Sequence, residues 1–74
     1  MEKNIYHEKL ADNIRVLRAK KKLTQTRLAI LSGLSVETIG SIERQTTNPT
    51  IDVLIAIANA LNVDICELFD FKDN

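Results

Sequence analysis

The chain of 74 residues has one cysteine, one proline, two glycines and no tryptophan, and most of these scarcities remove a class of protein. With Cys66 alone there is no internal disulfide framework, and such usage fits a reducing cytoplasm. No segment approaches the roughly 18 consecutive apolar residues of a membrane span. The opening MEKNIYHEKL lacks the apolar stretch of a signal peptide. Neither Gly33 nor Gly40 sits in a phosphate-cradling loop. His7, the one histidine, has no cysteine or acidic cluster at ligand spacing, which argues against a metal site. No serine or cysteine has a base at a spacing suited to nucleophilic catalysis. The expectation is a non-enzymatic, cytoplasmic chain with no metal or cofactor. Its length allows one small domain and no separate effector-binding or catalytic domain. A core of this size gains from dimerisation.

Net charge is also missing: ten Lys and Arg meet ten Asp and Glu. The zero hides a split. Residues 1–44 hold nine cations (Lys3, Lys9, Arg15, Arg18, Lys20, Lys21, Lys22, Arg27, Arg44) against five acids (Glu2, Glu8, Asp12, Glu37, Glu43), a surplus of +4. Residues 45–74 hold Lys72 against Asp52, Asp64, Glu67, Asp70 and Asp73, a surplus of −4. A polyanion responds to the local field rather than the total, so this polarity favours nucleic acid on the N-terminal side. The bland alternative for Lys20, Lys21 and Lys22 is a solvated helix end, where cations suit the dipole.

What is present is concentrated in residues 25–44, QTRLAILSGLSVETIGSIER. Ala29 lets a second helix approach the first closely, and Gly33 supplies a left-handed residue that ends one helix and starts a tight turn. Ile39 and Ile42, three apart, pin the inner face of the second helix. The spacing is that of a helix-turn-helix, whose second helix is presented to the major groove.

Around it, the pattern predicts a first helix over 7–21 with Leu10, Ala11, Ile14 and Leu17 inward. Leu23 packs inward, and Thr24 caps a second helix over 25–32 that buries Leu28 and Ala29. Ser35 caps a third helix over 36–44. The polar stretch 45–49 ends in Pro49, which forbids helix continuation. Thr50 caps a fourth helix through Leu61, with Asp52 in its first turn, and Asn62 takes a left-handed exit. Asp64 and Glu67 form a capping box for a short fifth helix ending near Phe69. With no strand signal, the expected fold is all-α, a compact five-helix bundle. Residues 1–6 would be an arm, 7–69 the DNA-binding domain and 70–74 a tail.

The fourth helix is apolar on more than one side. Ile51, Leu54, Ala58 and Leu61 make one stripe; Val53, Ile57 and Ala60 make another. One stripe fills the core of so small a domain, leaving the other for the fifth helix or a second subunit. Val53, Ile57 and Ala60, with Ile65 and Phe69, are the expected contacts of a two-fold dimer.

The order of these pieces resembles the Cro and phage-repressor type of helix-turn-helix, the XRE family. The resemblance spans about Leu10 to Phe69. It rests on Ile14-x-x-Leu17-Arg18, Leu23-Thr24-Gln25-x-x-Leu28-Ala29, Gly33-Leu34-Ser35, Ile39-x-x-Ile42-Glu43-Arg44, Asn48-Pro49-Thr50, Ala58-x-Ala60-Leu61-Asn62-Val63 and Glu67-Leu68. It implies a lambda-repressor-like DNA-binding domain. By this resemblance Val36, Glu37 and Ser41 reach base edges, and Gln25 contacts the DNA backbone, where helix N–H groups also attract a phosphate. Ser35 and Thr38 lie nearer the backbone, and Arg18 and Glu43 form a structural pair between the first helix and the recognition helix. The remaining backbone contacts expected are Thr24, Arg27, Arg44, Asn48, Lys21 and Lys22, with Thr46 and Thr47 adding neutral ones.

Departures from the family pattern carry information. Relatives often place a basic or long polar residue at Val36 and Ser41, so the readout here is lean: a thymine methyl for Val36, a hydroxyl donor or acceptor at Ser41. Glu37 could accept from a cytosine amino group, or serve only the helix dipole. Gly40 costs about 1 kcal/mol relative to alanine; it either permits close approach to a sugar-phosphate chain or lies idle on an exposed face. Gln45 stands where a glycine usually follows Glu-Arg, which implies a strained or differently shaped loop. Cys66, beside Ile65 and Leu68, reads as a buried or interfacial small hydrophobe, with a redox-sensing thiol as the alternative.

Together these features predict a homodimeric DNA-binding transcriptional regulator on a pseudo-palindromic operator. The rival is a protein-interaction module, such as the antitoxin of a toxin–antitoxin pair. The surplus apolar stripe and the acidic C-terminal third would offer such a protein partner its surface.

Overall fold

Four of the five helices start at a short polar side chain, and four end at a left-handed residue; these local signals set the element order. The computed structural model describes residues 5–70, which form α1 (Ile5–Lys20), α2 (Gln25–Ser32), α3 (Val36–Glu43), α4 (Ile51–Leu61) and α5 (Ile65–Leu68). Residues 1–4 of the expected arm and 71–74 of the expected tail lie outside the described residues. Helix α1 begins at Ile5, two residues before the expected start, so Ile5 and Tyr6 of that arm are helical.

The hydroxyls of Thr24, Ser35 and Thr50 accept the N–H groups of Arg27, Thr38 and Val53 at 3.0, 3.0 and 3.2 Å. Each satisfies one of the donors that a helix start leaves unpaired. At α5 the Glu67 carboxylate accepts the Asp64 N–H at 3.3 Å.

Four helices end alike. Lys22, Gly33, Gln45 and Asn62 have φ of 58°, 74°, 63° and 58°. The residue after each donates back to the carbonyl five positions earlier: Leu23 to Arg18, Leu34 to Ala29, Thr46 to Ser41 and Val63 to Ala58, at 2.9–3.0 Å. This is the Schellman arrangement, which satisfies orphan carbonyls and turns the next residue inward. Only one of the four left-handed positions is glycine. Gln45 therefore takes the conformation a glycine would, rather than a different loop shape. Its side-chain Oε1 is buried without a hydrogen-bond partner among the described residues. Helix α3 stops at Glu43, with Arg44 as its cap, one residue short of the expected end.

The core is built from Ile14, Leu28, Ile39, Ile57, Leu61 and Leu68, all fully enclosed, with Leu17, Leu23, Leu34 and Val63 packed around it. Two assignments on α4 are corrected. Ile57, expected at a dimer interface, is 0% exposed inside the protomer, and Ile51, expected in the core, is 59% exposed. The buried side of α4 runs through Leu54, Ile57, Ala58 and Leu61, so Ile51 at the helix start lies beside the core rather than over it. Cys66 is exposed, not buried as a small hydrophobe. From α1, the Asn13 amide donates to the carbonyls of Leu68 and Asp70 at 2.9 and 3.2 Å and ties the chain end to the first helix. Among the described residues no helix is long and apolar enough to cross a membrane.

Candidate nucleic-acid interface

The recognition helix α3 has two sides with different chemistry. Ile39, Gly40, Ile42 and Glu43 are buried, while Val36 and Glu37 at its start are exposed and Thr38 and Ser41 half-buried. Val36 is 45% exposed, which leaves its methyl groups available to a partner. Ser35, Glu37, Thr38 and Ser41 line a shallow polar depression of about 290 Å³, closed on one side by Thr47. Of the base-edge candidates, Glu37 and Ser41 line this depression together, and Val36 does not. Ser35 Oγ caps α3 and shares a 2.8 Å hydrogen bond with Thr38 Oγ1, so these two hydroxyls are partly committed within the protein.

The orientation of α3 depends on a buried charge. Glu43 is 4% exposed. Arg18 holds its carboxylate from α1 by two bonds, Nε to Oε2 at 2.8 Å and Nη2 to Oε1 at 3.1 Å. Gln25 Nε2 of α2 donates to Oε1 at 3.0 Å. Arg18 Nη1 also donates to the Leu23 carbonyl at 2.8 Å, closing the α1–α2 turn. A planar guanidinium meeting a carboxylate in this forked manner offsets much of the cost of desolvating both ions. One carboxylate therefore cross-links three helices, and Glu43 is withdrawn from any phosphate it would repel.

This placement refines the role expected of Gln25. Its amide nitrogen faces inward to Glu43, so the remaining first-turn N–H groups of α2 are what it leaves for an anion. Thr24 uses its hydroxyl oxygen as a cap and keeps its proton to donate. Lys20, Lys21, Lys22, Arg27, Arg44 and Asn48 are exposed, and Lys20 lines a depression with Glu67 and Asp70 rather than with α2 and α3. Gly40 is not on an exposed face: it is buried beneath the ends of Arg44 and Gln25. Those side chains occupy the space where a sugar-phosphate chain was the expected neighbour.

Arg15 is a positioning residue that sequence reasoning missed. Its Nη1 donates to the Glu43 carbonyl at 2.8 Å, capping the end of α3, while Nη2 pairs with Asp12. A signal existed: Arg15 lies three residues before Arg18, on the same face of α1. Of the expected dimer contacts, Val53, Ala60 and Ile65 are half-buried and pack against the core, Phe69 is exposed, and Ile57 is not available at all.

Comparisons with known proteins agree with this fold. The helix-turn-helix family matches residues 14–68. The chain is 44% identical over 61 residues to the control protein C.SmaI of Serratia marcescens, covering 82% of this chain and 73% of that one. It is 36% identical over 56 residues to the immunity repressor of Bacillus phage phi105, covering 76% of this chain but 39% of the repressor. Its fold is similar to the crystal structure of the restriction-modification controller protein C.AhdI from Aeromonas hydrophila. There the TM-score is 0.86 at 35% identity, covering 89% of this chain and 100% of the other.

Proposed function

We propose, for a chain that belongs to the XRE-type helix-turn-helix family of non-enzymatic DNA-binding regulators, a role as a sequence-specific transcriptional regulator of the restriction-controller kind. It acts in the cytoplasm as a homodimer on a pseudo-palindromic operator and represses a promoter by occupying it. The observation that carries this reading is the exposed start of α3, Val36 and Glu37, locked in orientation by the buried Arg18–Glu43 pair and flanked by exposed cations. Two such helices, placed by a two-fold axis, would enter successive major grooves about 34 Å apart.

Val36 meets a thymine methyl, Glu37 a cytosine amino group and Ser41 a base-edge donor or acceptor. Lys21, Lys22 and Arg27 neutralise phosphates, with neutral contacts from Thr24, Ser35, Thr38 and Asn48 and from main-chain N–H groups at Gln25. Val53, Ala60, Ile65 and Phe69 supply the protomer contact. With few cations involved, affinity is modest, and its salt slope is set by that small number of neutralised phosphates.

Selection of the purified protein against a pool of randomised duplexes at low salt tests the reading. An enriched inverted repeat, with half-sites about one helical turn apart, is the expected outcome. Salt-sensitive binding without enrichment would sink it. On the selected operator, Lys21→Ala should weaken binding to all sequences and lower the salt slope by about one, whereas Glu37→Ala and Ser41→Ala should change base preference. Equal effects from all three would mean that α3 is docked wrongly.

A further inference from the structure

The middle of the recognition stripe has no side chain of its own. Glu37, Gly40, Ser41 and Arg44 follow one another at helical spacing on α3 and share a face. Gly40 is nonetheless buried, because the Arg44 guanidinium folds back one turn and lies across it. A β-carbon built on Gly40 would stand 2.8 Å from Arg44 Nη1, 3.8 Å from Arg44 Cζ and 3.7 Å from Gln25 Oε1. Arg44 Nη2 reaches Ser41 Oγ at 3.5 Å. Among the described residues no carboxylate forms a salt bridge with Arg44, so its charge and most of its donors are uncommitted. Alanine is the better helix former, and the only close neighbour it would meet is the end of this one flexible side chain.

We infer that Gly40 is a positioning residue and Arg44 a specificity-determining one. The glycine notch draws the guanidinium from the end of α3 to the centre of the recognition face, between Ser41 and Gln25, where it reads the O6 and N7 edge of a guanine. This rests on the proposal that α3 enters the major groove. The family resemblance alone would set Arg44 on the phosphate backbone. Three observations favour a base. Arg44 shares its face with Glu37 and Ser41. It folds toward the N-terminal part of the helix, the part that approaches base edges in this kind of docking. Its planar fork matches guanine, the commonest specific partner of arginine. A phosphate anchor would need the charge but not the notch, since an extended arginine serves a phosphate equally well.

The test uses the operator selected by the wild-type chain, the same operator with each G·C pair changed singly, and an unrelated duplex, titrated across salt. Gly40→Ala and Arg44→Lys both keep the charge. Each should lose roughly ten- to a hundredfold on the operator, with loss of preference at one and the same G·C pair. Each should bind the unrelated duplex with wild-type affinity and salt slope, because the phosphate contacts are untouched. The thermal midpoint of Gly40→Ala should equal or exceed that of the wild type. Gly40→Ala with wild-type operator affinity and preferences would overturn the inference, and so would uniform weakening of every sequence by Arg44→Lys. If the wild-type chain selects no operator, the regulator reading itself has failed, an outcome distinct from either of these.

Discussion

Helix α3 buries one side of eight residues with a carboxylate at its heart, whereas α4 buries a longer side that is apolar throughout. Directional bonds hold the first: Arg18 and Gln25 on the Glu43 side chain, Arg15 on its carbonyl. The second is held by enclosed area, from Leu54, Ile57, Ala58 and Leu61. A directional network fixes the angle of a helix and is intolerant of losing one partner. An apolar face fixes only that the helix is buried, and it tolerates swaps that conserve volume. The difference suits the two helices. The one proposed to meet DNA must be aimed, while the other supplies the mass against which it is aimed.

The comparison can be broken most forcefully at the charge. Arg18→Met leaves Glu43 buried and unpaired and should cost about 3–5 kcal/mol, read as a fall in the urea midpoint. Arg18→Met combined with Glu43→Met should recover most of that stability, because the uncompensated ion is gone. It should not recover operator binding, because nothing then fixes the tilt of α3. A single variant that costs under about 1 kcal/mol, the range of surface ion pairs, would show that area rather than the pair anchors α3.

A smaller effect separates the two sides of α4. Ile57→Ala should cost about 2–5 kcal/mol through lost burial and a residual cavity. Ile51→Ser should stay within about 0.5 kcal/mol, as a surface substitution does. If the two were reversed, the buried stripe would be Ile51, Leu54, Ala58 and Leu61, as the hydrophobic pattern alone suggested.

The smallest expected change is a gain. Gln45→Gly should stabilise the protein by about 1 kcal/mol, because the left-handed conformation is costly for any residue with a β-carbon. In a domain of this size that corresponds to a rise of roughly 4–8 °C in thermal midpoint. An unchanged midpoint would mean that contacts of the Gln45 side chain offset the strain.

The parts legible in the sequence share a physical origin. Thr24, Ser35 and Thr50 act on N–H groups within three residues of themselves, and Gly33 answers a local steric demand. Such signals need no knowledge of the rest of the chain, so the helix starts and the turn between α2 and α3 follow from residue types alone. The base-edge candidates Val36, Glu37 and Ser41 came only through the family resemblance; residue types alone place them on one short helix behind the Ser35 cap. The Arg18–Glu43 pair was reached only through a family resemblance, since residues 25 positions apart leave no local trace of each other.

Other features have no local signature. Lys22 and Gln45 adopt positive φ although neither residue favours it. They do so because the helix ends need a Schellman closure and the chain must then turn. At Lys22 the residue turned inward is Leu23, which packs against the core. Which of the stripes on α4 faces inward depends on where α2 and α5 stand, so Ile51 and Ile57 were exchanged. The sequence by itself determined five helices, four of them with caps, a helix-turn-helix, and the polarity that sets cations on its side of the chain. Only the tertiary structure decided that Glu43 is buried under two arginines, that Arg44 lies in the gap left by Gly40, and which face of α4 is covered. Caps and turns are settled by neighbours in the chain, whereas burial and ion pairing are settled by neighbours in space.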